Sequence, residues 1–206
     1  MAVTDFSTFI SAWCSLGPRP ILVNGLLRLH LIQHFSTDTD IEHEPFKTRL
    51  FKNDETTPIL IEDANLWTPK MAQKRPAVTL KRNAWQSVKR GTLDNTSGQN
   101  SEGDREHCKL GQGSHTLNCI CKEPGEAEML GAEVYRFFMH YGPVIRHYAR
   151  LLMFELMHIG ACTEMEESKE HYAVPITVGY GWAENWTINT AAPRLAKIKL
   201  SDLFKV

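Results

Sequence analysis

Apolar residues recur at helical spacing in some stretches of this chain and alternate with polar residues in others. Ile21, Leu22, Leu26, Leu29 and Ile32 approximate the helical period, which predicts a helix with Pro20 in its first turn. Residues 36–57 are polar, acidic and rich in turn formers, and predict a loop or a segment that docks on a neighbour. PILIE (58–62) predicts a short strand. RPAVTLKR (75–82) predicts a better one, in which Ala77 and Thr79 alternate with Val78 and Leu80. AWQSVKR (84–90) either continues it past a bend at Asn83 or pairs back as a hairpin.

GTLDNTSGQNSEGD (91–104) has almost nothing to bury and predicts a flexible loop, which is expected to extend to residue 112. GSHTLNCICK (113–122) alternates, with His115, Leu117, Cys119 and Cys121 on one face of a half-buried strand. Pro124-Gly125 then opens the clearest amphipathic helix, whose stripe is Leu130, Val134, Phe137, Phe138 and Tyr141. Glu126 and Glu128 sit in its first turn, where carboxylates suit the positive end of the helix dipole. Gly142-Pro143 is expected to interrupt it, with a short helix to about Arg150 and a strand at 155–162. TEMEESKE (163–170) is an acidic connection and HYAVPITVGYGW (171–182) a strong strand, antiparallel to 155–162. NWTINT (185–190) and LAKIKL (195–200) predict two more strands. The fold class is therefore α+β, a mostly antiparallel β-sheet with helices packed on one face. One domain, 1–206, is expected, with residues 1–20 as an N-terminal extension and 91–112 as a flexible loop insertion.

Composition narrows the function classes. The 206 residues suffice for a real core, and 42% apolar with 23% charged residues is ordinary for a globular chain. A net charge of −1 supplies no global field toward nucleic acid or a membrane, although a local basic patch stays open. Residues 1–20 lack a basic region followed by an apolar run, so no signal peptide is expected. No apolar run approaches a membrane span, and five cysteines, an odd number, suit synthesis in a reducing cytosol.

HCKLGQGSHTLNCIC (107–121) packs two histidines and three cysteines into one stretch. Cys108, His115, Cys119 and Cys121 are a donor set for zinc by residue type, but the spacing is poor. Cys119 and Cys121 lie one residue apart on a strand, about 7 Å from each other, rather than on a knuckle turn. A core face is the preferred reading, ahead of zinc or a disulfide. Cys108, on the expected loop, is the thiol free to form an intermolecular disulfide.

Lys74, Arg75, Lys81, Arg82, Lys89 and Arg90 surround Trp85. Such a run is either a solvated strand face or edge guarded by lysine, a nucleic-acid contact with one stacked base, or a charged subunit interface. Its acidic counterpart is Glu164, Glu166 and Glu167. Trp182 and Trp186 flank Ala183-Glu184-Asn185, as core residues or as interface anchors. No G-x-S-x-G, H-E-x-x-H, phosphate-loop or dinucleotide fingerprint occurs, and none of nine histidines stands out as half of a catalytic pair. No catalytic residue, metal ligand or cofactor is assigned, and the chain is not expected to be an enzyme.

The order from Gly113 onward resembles tail terminator (tail-completion) and related neck proteins of tailed bacteriophages. It runs from strand GSHTLNCICKEPGEAE into helix AEMLGAEVYRFF, then the strand around LLMFELMHIG, the acidic connection, YAVPITVGYGW, the W-T-I-N strand and PRLAKIKL. RPAVTLKRNAWQSVKRG, upstream, fits the same pattern. The resemblance implies a tail-terminator-like fold and a structural virion protein, assembled in the host bacterial cytoplasm. It further implies a homo-oligomeric ring, a hexamer, that terminates the tail and joins it to the head. Neighbouring neck, connector, tail-tube or sheath proteins, and passing contact with DNA, follow as partners; no membrane does. Another head-completion component is the near alternative, and a nucleic-acid-binding protein using 74–90 the more distant one.

Overall fold

A computed structural model describes residues 19–54, 56–66, 68, 76–88, 98–99, 105–166 and 168–188. Helix α1 spans Arg19–His34 and has Pro20 in its first turn, as the periodicity predicts. Its Leu22, Val23, Leu26, Leu27 and Leu31 are buried. The polar segment after it holds one helical turn, α2 (Glu44–Lys47). That segment is anchored by Ile41 and Phe46, both in the main core.

The strands are β1 (Leu60–Asp63), β2 (Ala77–Arg82), β3 (Gln86–Val88), β4 (Gly98–Gln99) and β5 (Arg105–Cys121). Helix α3 (Pro124–Tyr148) follows, then β6 (Met153–Ile159), β7 (Thr163–Met165) and β8 (Ser168–Ile188). The strand order is β1-β2-β5-β8-β6, with β3 and β4 also on β5 and β7 on β8. β1 runs parallel to β2, while β2 with β5, β4 with β5, β6 with β8 and β7 with β8 are antiparallel. The fold is mixed, an α+β arrangement of one sheet and a few helices.

The chain divides into two compact units. The first is Met1–Gln86 with Gln112–Trp182, the second Ser87–Gly111 with Ala183–Val206. In the first unit, register carries the sequence alternation into one core. Val78 sits opposite Cys119 and Leu80 opposite Leu117, and Phe154 and Leu156 lie opposite Tyr180 and Val178. These residues join α1 and the stripe Leu130, Val134, Phe137 and Phe138 of α3 in a single cluster. Each large apolar side chain fully buried there contributes about 1.5–3 kcal/mol. On the opposite sheet face Leu60, Ala77 and Ile120 form a small second cluster, which explains why all four residues of A-V-T-L in β2 are buried.

Four stretches depart from the sequence reading. Helix α3 passes through Gly142-Pro143 and ends at Tyr148, with Pro143 inside it. Proline removes one backbone donor, but buried Ile145 and Ala149 hold the last turns in the core. Residues 105–112, expected as the end of a flexible loop, are strand β5, and Cys108 lies on it. Pairing of Gly98 with Glu106 and Gln99 with Arg105 supplies the ladder. Gly113, in the strand as expected, has a distant cause: a Cβ on it would stand 2.8 Å from the Tyr180 hydroxyl, a close approach that favours glycine. The acidic connection is largely a hairpin, with Thr163 opposite Ala173 and Glu164 opposite Tyr172. β8 absorbs residues 185–188 of the expected separate strand, and LAKIKL lies outside the described residues.

Candidate functional site

The basic run ends on an aromatic stack. Lys81 and Arg82 are exposed at the end of β2, and Trp85 just beyond is 52% exposed. The Trp85 ring lies 5.9 Å from that of Trp182, which is buried and stacks on Tyr180, also at 5.9 Å. The His115 ring continues the series at 5.3 Å from Tyr180. Trp182 is thus a core residue that supports an exposed Trp85. Lys74, Arg75, Lys89 and Arg90 lie outside the described residues. Neither nitrogen of His115 has a partner, and burial, with the Arg82 charge behind it, holds this imidazole down to about 4 despite Asp63.

The cysteine face is core. Cys119 and Cys121 are buried, and burial pushes both thiols far up. For Cys119 the neighbouring Cys121 adds to the shift. Cys108 is a free, half-buried thiol. Among the described residues no group of three His, Cys, Asp or Glu side chains is arranged to hold a metal ion. No described helix is long and apolar enough to cross a membrane.

A polar hub lies inside the first unit, and the sequence reading missed it. Glu133 of α3 is fully buried and faces three elements. Its Oε1 accepts from His34 Nε2 of α1 at 3.0 Å and from Arg136 Nη2 at 3.0 Å. Its Oε2 accepts from His43 Nδ1 at 2.7 Å and from the backbone N–H groups of Glu42 and His43 at 3.2 and 3.3 Å. Burial alone raises a carboxyl, but these bonds and the Arg136 charge win and hold Glu133 well below the usual carboxylate range. Arg136 also binds Glu42 at 2.6 Å and the Asp40 carbonyl at 3.0 Å. A legible signal existed: Glu133 falls within the apolar stripe, three residues after Leu130. Glu126, expected as a capping carboxylate, does sit in the first turn and there pairs with Arg49.

A groove of about 1070 Å³ opens between the C-terminal half of α3 and β6. Tyr135, Phe138 and Phe154 line it with Arg146, His147 and Arg150. Met139 in its lining is 59% exposed, and Leu152, next to the lining residue Leu151, is 52% exposed. Among the described residues, β6 pairs only with β8 in the strand order. Helix α3 stops there in a two-bond lock, Arg150 N–H to the His147 carbonyl at 3.1 Å and Leu151 N–H to the Arg146 carbonyl at 2.9 Å. That geometry puts Arg150 at φ 51°, the position glycine ordinarily takes. Glu164 and Glu166 are exposed on the β7–β8 hairpin at the other end of the same edge, while the side chains of Glu167 and Trp186 are not described.

No protein-family model matches this chain, and no curated protein is significantly similar to it.

Proposed function

We propose that the chain is a non-catalytic structural subunit of a tailed-phage neck, forming a homo-oligomeric ring that ends the tail and joins it to the head. The observation that carries this reading is the surface around the α3–β6 groove. Exposed Met139 in the groove and Leu152 next to its rim, beside a strand edge that no described strand covers, are costly in an isolated chain and are the composition of an interface. We take the order strand, helix, edge strand, hairpin and long strand for that of a tail-terminator-like fold. Arginines at one end of the edge and glutamates at the other suit subunits that meet head to tail, as ring closure requires.

Light scattering on the purified chain and protein analysis of purified virions test the reading. A multi-subunit species and presence in virions are the expected results. A strictly monomeric chain absent from virions refutes it.

A second reading has its own observation: half-exposed Trp85, braced by Trp182, next to Lys81 and Arg82. Such a platform suits one stacked base of passing DNA. Trp85→Ala is then expected to lose about 1–3 kcal/mol of single-strand affinity, which itself falls steeply with salt. Salt-independent binding, or none, removes this reading.

A further inference from the structure

The geometry points to a specific contact between copies: the α3–β6 groove of one copy receives the acidic β7–β8 hairpin of the next, with Arg146 and Arg150 facing Glu164 and Glu166. This deepens the ring proposal and rests on it.

Four features favour this occupant. The groove, about 1070 Å³, stands at the upper end of the ~300–1,000 Å³ typical of small-molecule pockets and is large enough for a folded-back piece of chain. Its charged lining is mainly positive, and the hairpin carries the opposite sign. Arg146, Arg150, Glu164 and Glu166 are all exposed, and none has an ion-pair partner among the described residues. The fourth feature is Arg150 itself. A non-glycine residue at positive φ is disfavoured, and glycine would complete the same helix stop without that cost. Retaining arginine there makes sense where its side chain works at the groove.

The form of the edge argues against the simplest alternative, two copies zipped edge to edge in a two-fold dimer. The β6–β8 register slips between Leu156 and His158, and Gly160–Cys162 separate β6 from β7. A bulge and a gap break the row of backbone donors and acceptors that edge pairing needs. Insertion of a hairpin tip does not need that row, and the groove and tip lie toward opposite ends of the edge. Where each groove takes its hairpin from a different neighbour, the contact passes from copy to copy and closes a ring if the rotation allows.

Charge reversal tests the contact. Arg146→Glu with Arg150→Glu, and separately Glu164→Arg with Glu166→Arg, each weaken self-association about 100-fold, because like charges then meet across the contact. An equimolar mixture of the two variants assembles again, as does a chain carrying all four changes. Arg150→Gly gives a more heat-stable chain that assembles less well, a combination a purely structural role would not produce. Circular dichroism confirms that the exposed substitutions leave the fold intact. Wild-type mass retained by either double variant means another occupant fills the groove and overturns the inference, as does a wild-type chain no larger than a dimer, or a mixture that stays apart. Virion analysis separates the two levels. If the chain is in virions while these variants still assemble, the contact falls and the structural reading stands; if it is absent, the structural reading falls.

Discussion

Glutamine at position 133 changes one atom of the side chain and is expected to damage the fold severely. The Glu133 carboxylate is fully buried and accepts five hydrogen bonds, from His34, His43, Arg136 and the backbone N–H groups of Glu42 and His43. An amide keeps one acceptor oxygen and turns the other into a donor. Whichever way it is placed, that NH₂ faces donors: Arg136 and His34 on one side, His43 and two backbone groups on the other. Breaking one partner of a buried charged network costs about 3–5 kcal/mol, and a domain has only about 5–15 kcal/mol in all. For a chain of this size, with about 2–4 °C per kcal/mol, Tm should fall by about 6–20 °C. Thermal and urea unfolding of Glu133→Gln at neutral pH measure this. The pH dependence has a definite sign. Glu133 is held below its ordinary value of 4.5, so its contribution is complete above that pH and fades as the folded protein is acidified further. The gap between wild type and variant should therefore narrow in acid. A variant within about 1 kcal/mol of wild type at neutral pH would show that the hub does not hold α1, the 42–43 segment and α3 together.

Gly131→Ala in α3 should destabilise by about 1–3 kcal/mol, although alanine normally gains about 1 kcal/mol over glycine in a helix. Its Cβ would stand 2.9 Å from Val174 Cγ1, on a stiff β-branched side chain, and denaturant titration reads the sign. His115, held to about 4, should stay neutral in an NMR titration through pH 5, and its contribution to stability should be lost as pH falls from about 6.5 toward 4, because only the unfolded chain takes up the proton there. Cys119 and Cys121 should resist a thiol reagent until the chain unfolds, while half-buried Cys108 and Cys162 react earlier; equal rates in native protein would contradict the buried strand face.

Where burial alone selects residues, the pattern was readable. The alternation His115, Leu117, Cys119, Cys121 and the stripe from Leu130 to Phe138 point where the structure puts them. Tyr141, read into the same stripe, is exposed. What could not be read depends on partners distant in sequence. The cause of Gly113 is Tyr180, nearly seventy residues on, and a contact that distant leaves no local signal. Pro143 looks like a helix stop because the hold that Ile145 and Ala149 gain in the core is tertiary. The candidate site divides in the same way. Trp85 and the acidic residues were legible as types. The groove exists only once β6 lies beside α3, and the Glu133 hub joins positions 34, 43 and 133.

Gly142 lies on the floor of the groove, and a Cβ placed there would meet the Phe154 ring at 3.4 Å. Alanine would just fit, and any longer side chain would wedge β6 away from α3. The width of this recess is thus governed by a side chain that is missing. One substitution on that buried floor would reset the shape of the recess.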